Sequence, residues 1–355
     1  MTKTMLCLED ITVPLLKILC LTWTPKGSRR MHDIGSLLKA EIWNYSIFHK
    51  MRLLSSFKYP IQAVKTFIKL AKTKPNIVVV QDPPIFAALT CLIYGKLSRT
   101  KIVIDHHSIW SMADVIKNPI AKSLVDSVEK LCIKKADLNI TYADPWEYEL
   151  TRMGAEKALT IYDFVDETWT KGADFSVREE FPKDKKIIVI SGGGHPLERH
   201  DLLIEACNDL NAIVVITGEK KFLQKYIARA QELKTKNVIF ADFLPDKQYR
   251  GLIATCDFVA NISEQPYGIP HVVIEALASK RPIIINKNSA VEKLLGKDCP
   301  FIIPDNDVDI VKSSFLSAFE NQREYEKLAA KLYQRLKKRT EEQLENLFKF
   351  IWQPA

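Results

Sequence analysis

No apolar run in this 355-residue chain reaches the roughly 18–20 residues that a membrane span needs. Lys17 interrupts the first candidate and Lys96 closes the run after Pro84, so a bilayer-crossing segment is not expected. Cysteine is sparse and scattered. The seven, Cys7, Cys20, Cys91, Cys132, Cys207, Cys256 and Cys299, show neither CxxC nor Cys/His ligand spacing and leave an odd one over. That pattern excludes a disulfide framework and a zinc site, and it implies a reducing, cytoplasmic setting. The dinucleotide GxGxxG and Walker GxxxxGKS patterns are also missing, which leaves hydride transfer and ATP hydrolysis unsupported. No short-period repeat and no low-complexity segment is visible. No metal or cofactor is expected.

What is present is material for two medium domains, each with its own core, at 47% hydrophobic and 26% charged residues. Position says more about charge than the total of +8 does. Up to Lys101 there are 16 Lys/Arg against 5 Asp/Glu, and beyond it 35 against 38. The basic surplus sits in the first third. There, Ile61, Val64, Ile68 and Ala71 recur at helical spacing among Lys58, Lys65, Lys69, Lys72 and Lys74. A basic amphipathic helix can lie on anionic lipid, gaining about 1 kcal/mol per Lys or Arg near the surface. A solvated helix face has the same composition.

Strand-like runs alternate with helical stretches throughout, the signature of parallel α/β architecture. A first series places strands at 18–23, 41–45, 77–81, 101–105 and 138–142, and a second at 186–191, 212–217, 237–240, 258–262, 282–286 and 301–303. Between them DETWTKGADFSVREEFPKDKK lacks periodicity and reads as a linker. The expected division is a domain over 1–165, a linker over 166–185, a second domain over 186–330, and a terminal helix over 331–355.

The most informative segment is GIPHVVIEALASKRP, Gly268 to Pro282, running into the apolar PIIIN. Gly268 allows close backbone approach and Pro270 suits a first helical turn. The helix that follows puts His271, Glu275 and Ser279 on one arc, with Val273, Ile274 and Leu277 opposite. Its N–H groups favour phosphate, and a carboxylate one turn in can accept two hydrogen bonds from a ribose diol. An ordinary amphipathic helix docked on a sheet shows the same spacing. Upstream, IIVISGGGHPLERHDLLIEA is a strand, a triple-glycine turn and a helix, where backbone N–H groups can cradle a diphosphate.

The 268–282 segment resembles the donor-binding helix of family 4 glycosyltransferases, in Gly268, Ile269, Pro270, Glu275, Ala276, Ala278 and Pro282. The family's preceding carboxylate falls at Tyr267, its loop Arg at Gly193 and its Lys at Glu198. Arg199, one residue displaced, is the substitute cation, with His195 and Lys220 behind it. Gly193 and Gly194 form the phosphate loop in this alignment, and VVITGEKK, with Gly218 at the turn, is similar to the base and ribose segment. In the first domain, QDPPIFAALTCLIYGKLSRTKIVIDHHS is similar to the β-mannosyltransferase family that extends dolichol-linked chitobiose, in Pro83, Pro84, Val103, Ile104, Asp105 and His107.

The resemblance implies a GT-B fold, two Rossmann-like domains with parallel sheets facing a central cleft, and a terminal helix returning to the first domain. It implies a glycosyltransferase with a nucleotide-diphosphate sugar as co-substrate, GDP-mannose being the donor suggested, and a lipid-linked or glycan acceptor. It makes His107 or Asp105 the base for inversion; a retaining enzyme would need none there. The loop of Gly27, Ser28, Arg29 and Arg30 faces the acceptor in such enzymes, where Arg29 or Arg30 could hold a lipid pyrophosphate, although a solvated helix start looks alike. The site is expected at the cytoplasmic membrane face, with no nucleic-acid partner. Three alternatives stay open: a catalytically silent scaffold, motivated by Tyr267, Gly193 and Glu198; a basic polyanion-binding protein; and a sugar-nucleotide epimerase.

Overall fold

The computed structural model of the chain describes residues 16–25, 27–47, 55–108, 118–166, 168–192 and 197–352, with backbone only for 55–57. They form two units, one of Met1–Tyr162 with Gln343–Ala355 and one of Asp163–Glu342. No helix among the described residues is long and apolar enough to cross a membrane.

Unit 1 is built on β1 (Ile18–Thr22), β2 (Glu41–Asn44), β3 (Ile77–Asp82), β4 (Lys101–His106), β5 (Leu138–Thr141) and β6 (Ala158–Thr160). All pair in parallel, in the order β2-β1-β3-β4-β5-β6. The sequences ILCLT and IVVVQD carry apolar residues continuously because helices cover both faces of the sheet. One face meets helices Ser55–Thr73, Ile85–Ser98 and Pro119–Lys135. The other meets helix Arg29–Leu37 and Leu347 and Ile351 of the terminal helix Gln322–Trp352. Ser28 starts Arg29–Leu37 by accepting from the Met31 amide at 3.1 Å.

Unit 2 carries β7 (Lys186–Ser191), β8 (Ala212–Thr217), β9 (Val238–Ala241), β10 (Phe258–Asn261), β11 (Ile283–Asn286) and β12 (Ile302–Ile303), again all parallel. Their order is β12-β11-β10-β7-β8-β9. Chain order reverses between β7 and β10 here and between β1 and β3 in unit 1. Such switch points leave a crevice at the carboxyl ends of the strands, where open α/β sheets bind ligands.

Two expectations need correction. β6 was not anticipated. The stretch expected to be a linker, 166–185, packs within unit 2: Trp169 and Val177 are buried, and a short 3-10 helix, Phe175–Glu180, follows Asp174. The Asp174 amide donates to Lys247 O at 2.9 Å, and Arg250 donates to Trp169 O at 3.0 Å. Gly251 permits this docking, since a Cβ there would lie 1.8 Å from the Asp174 carbonyl oxygen.

Candidate active site

In unit 2 the carboxyl ends of β7 and β8 open onto a pocket of about 410 Å³. Its walls include Ser191, Gly192, Thr217, Gly218, Phe243 and Tyr249. Gly218 has φ +142, and a Cβ on it would fall 2.4 Å from the Gly192 carbonyl oxygen, so the two turns touch through backbone alone. Tyr249, on helix Asp246–Thr255, shares a 2.9 Å hydrogen bond with Ser191 Oγ and donates to Glu275 Oε2 at 2.7 Å. The Ser191 hydroxyl therefore donates to Tyr249.

Helix His271–Ala278 begins after Pro270, as the sequence indicates. Its polar arc is not solvated, however. Glu275 is only 5% exposed, within a helix whose residues 272–277 are all buried. An ionised carboxylate has about four acceptor positions, and Tyr249 occupies one of them. His271 Nδ1 stands 3.4 Å from Glu275 Oε1, too poorly aligned for a hydrogen bond. Asn288 donates to the Gly268 carbonyl at 3.0 Å and Ile269 is buried, which fixes the turn entering the helix.

The expected diphosphate cations are placed differently. Arg199 donates to Asp201 at 3.0–3.2 Å and to Glu264 at 2.9 Å, and these hydrogen bonds raise its already high pKa. Bound to two carboxylates, it offers no net positive charge, so its role as substitute cation is corrected. Lys220 opens helix Lys220–Glu232 and has no carboxylate partner among the described residues, but the pocket wall beside it is Glu219. Glu198 turns away from solvent. Its carboxylate lies 3.3 Å from buried His200 Nε2, and a Cβ on Gly192 would lie 2.8 Å from both carboxylate oxygens. Residue 198 also bridges Ser263 in antiparallel fashion, which ties the glycine turn to the end of β10. Gly193, Gly194 and His195 lie outside the described residues.

Unit 1 places its titratable groups at the ends of β3 and β4. Asp105 is fully buried; Arg30 Nε reaches its two oxygens at 2.9 and 3.2 Å, and His107 Nε2 reaches Oδ2 at 3.0 Å. Burial would raise the Asp105 pKa, but the Arg30 charge and then His107 outweigh it and hold the carboxyl well below its usual range. Asp105 is therefore an acceptor only. Nε2 of His107 must carry the shared proton, leaving Nδ1 of this quarter-exposed ring as the lone-pair nitrogen. Asp105 thus orients a base and is not one itself, which corrects its expected role.

The neighbouring His106 is structural. Asn139 spends its amide hydrogens on the carbonyls of Ile133 and Lys157, so its Oδ1 accepts from His106 Nε2 at 2.9 Å. His106 Nδ1 meets Asp82 Oδ2 at 3.0 Å, and one proton serves both groups. Burial raises the Asp82 pKa; it would lower that of His106, but the bond to Asp82 and its charge raise it. The pair titrates as a unit.

Arg30 was expected to face an acceptor phosphate. It is 5% exposed and donates also to the carbonyls of Ile161 at 2.6 Å and Thr141 at 3.3 Å, so it is a buried structural cation. Arg29 remains at the surface, 3.9 Å from Asp33. Gly27 has φ +72 and packs against the Asn44 side chain, closing the loop after β1 onto β2.

Arg30→Met is expected to destabilise unit 1 by about 3–5 kcal/mol at pH 7, because it strands a buried carboxylate. The folded Asp105 pKa lies below its unfolded value, so its contribution is present above about pH 4 and fades as pH falls through the folded pKa. The difference between wild type and variant should therefore shrink at acid pH, where a protonated Asp105 needs no cation. Urea unfolding at about pH 7 and at about pH 2.5 measures both.

Comparison with known proteins bears on unit 2 first. Residues 173–342 match the family model described as glycosyl transferases group 1. The matched stretch falls within the second unit, Asp163–Glu342. Over the whole chain, solved structures with this fold include HepE from Anabaena in complex with UDP-glucose. It is 16% identical, with 94% of this chain and 100% of that one covered and a TM-score of 0.76. Sucrose-phosphate synthase from Thermosynechococcus elongatus is 11% identical, covering 95% and 99%, at 0.77. The UDP-GlcNAc 2-epimerase from Neisseria meningitidis bound to UDP-GlcNAc is 12% identical, covering 93% and 100%, at 0.61. The two six-stranded parallel sheets match GT-B glycosyltransferase structures. Domain and fold together support a glycosyltransferase.

Tyr249 and Ser191 escaped the sequence reading. A tyrosine 26 residues before Glu275 carries no motif of its own, and only the return of helix Asp246–Thr255 past β7 brings the two together. No group of three His, Cys, Asp or Glu fit to hold a metal occurs among the described residues.

Proposed function

We propose that the protein moves a sugar, mannose from GDP-mannose in the first instance, onto a hydroxyl of a lipid-linked or glycan acceptor at the cytoplasmic face of a membrane. The observation carrying the donor half is the Ser191–Tyr249–Glu275 chain of hydrogen bonds, which links the 410 Å³ pocket to the one buried carboxylate on the helix after Pro270. Glu275 accepts the ribose diol. Phe243 and Leu244 give the pocket an apolar wall suited to a base. The N–H groups at the start of helix His271–Ala278, with Lys220, meet the charge that grows on the diphosphate as the C1–O bond breaks. The scheme calls for no metal or cofactor.

The acceptor half rests on unit 1. His107 Nδ1 takes the proton of the attacking hydroxyl while Asp105 steadies the imidazolium, and the new C–O bond forms with inversion. The mannosyl donor rests on the likeness of the Pro83–His107 region to the dolichol-chitobiose enzymes, and the membrane on the basic first third. A thermal-shift panel of GDP, UDP and ADP with their sugars tests the reading, since a ligand of the folded state raises the melting point by mass action. The largest shift is expected with GDP-mannose. A shift confined to UDP ligands would reject the mannosyl donor, and none with any nucleotide would reject the enzyme.

A further inference from the structure

Unit 1 presents an apolar outer layer that its own core does not use. Helices Ser55–Thr73, Ile85–Ser98 and Pro119–Lys135 cover one face of the sheet, the middle one packed against both others. Among the described residues, eight of the fifteen exposed large apolar side chains fall on these three helices.

The first helix is apolar outside as well as inside: Leu70 is buried, and Tyr59, Ala63 and Phe67 pack against the core. Its inward arc includes Gln62 and Thr66, both 0% exposed, with Thr66 accepting from the Trp23 indole at 2.9 Å. Its outward arc carries Ile61, Val64 and Ile68 at 40, 60 and 48% exposure. A helix on a soluble surface carries polar residues on such an outward arc. Ile93 and Leu97 continue the layer on the second helix at 52 and 73%. On the third, Ile120, Leu124 and Leu131 share an arc of about 40° at 100° per residue.

Charge on the first two helices has one sign; nearby carboxylates are Glu41, paired with Lys69, and the half-buried Asp126 on the third helix. Neither of the first two helices contains Asp or Glu. Lys65 and Lys72 are exposed beside Ile61 and Ile68. On the third helix Lys134 borders the apolar arc, while Glu129 is buried. Past the ends of the first two helices, Lys74, Arg99 and Lys101 line a recess of about 810 Å³ whose walls include Phe67, Leu97 and Trp352.

We propose that this three-helix layer is a docking surface for an anionic lipid bilayer, its aliphatic side chains entering the acyl boundary and its lysines meeting headgroup phosphates. The proposal rests on the membrane-associated reading above and locates the contact. Aliphatic side chains ringed by cations suit a surface that is apolar inside and anionic at its rim. A second copy fits less well, because an isologous contact would set lysine against lysine.

Flotation of the full chain with vesicles tests this. The wild type should rise with phosphatidylcholine–phosphatidylglycerol vesicles and stay behind with phosphatidylcholine alone. Val64→Glu with Leu97→Glu should lower partitioning by about a hundredfold or more, because two apolar insertions become repelled charges. Both positions are exposed, so the melting point should hold. Lys65→Ala with Lys72→Ala should weaken binding and flatten its salt dependence. Wild type that fails to rise with the anionic vesicles, or a double glutamate variant that rises equally well, overturns the proposal. So does a dimer abolished by the glutamates without vesicle binding. The nucleotide-induced thermal shift, measured on the same variants, separates the readings: flotation lost with the shift intact leaves the transferase standing, and the reverse removes only the transferase.

Discussion

Glu275→Ala is expected to lower kcat/KM for sugar transfer by roughly 10²–10⁴-fold, with most of the loss appearing as weaker binding of the nucleotide. Two hydrogen bonds from a ribose diol to a carboxylate contribute about 1.5–3 kcal/mol each, and about 1.4 kcal/mol is a factor of ten. The position is 5% exposed, so folding must be checked beside activity. Tyr249→Phe provides that check. It removes the hydroxyl that holds Oε2 but keeps the charge, so about a tenfold loss is expected as the carboxylate loses one orienting donor. Donor titration by calorimetry and initial rates measure both. A folded Glu275→Ala protein with undiminished transfer would remove the donor site from this helix.

The second large effect is expected at His107. Loss of a positioned general base lowers rates by about 10²–10⁴-fold. His107→Ala should place that loss in kcat and leave nucleotide binding unchanged, because the residue belongs to unit 1 and the donor pocket to unit 2. Asp105 is a poorer target, since replacing it leaves Arg30 buried without its counter-charge. Full kcat in His107→Ala would point to retention of configuration, for which no base is needed there.

The parallel sheets were legible because buried strands such as IVVVQD and AIVVIT are continuous β-branched runs between helical stretches. β6 was not, being three residues, ALT, on the sheet edge. The supposed linker failed for a related reason. Its attachment to unit 2 rests on Trp169, Val177 and a glycine on another helix, Gly251, and no periodic pattern records that.

At the candidate site, spacing and resemblance together singled out Glu275 and resemblance singled out His107, but neither could sort equals. Arg29 and Arg30 are adjacent and identical in type, yet the one that turns inward is chosen by a carboxylate 75 residues away. His106 and His107 differ only in strand alternation, which aims one at Asp82 and Asn139 and the other at Asp105. Arg199 looked like a phosphate ligand because Glu264, its partner across the bridge at Ser263, is 65 residues distant.

The membership of Gln343–Ala355 in unit 1 has a consequence for biosynthesis. Leu347 and Ile351 cover Ile18, Cys20 and Ile77, residues that leave the ribosome more than 250 positions earlier. A nascent chain therefore carries one greasy sheet face only partly covered, by helix Arg29–Leu37, while all of unit 2 is being translated. Chaperone demand should peak in that interval, and stop codons shortly before Leu347 should yield aggregates rather than a smaller working protein.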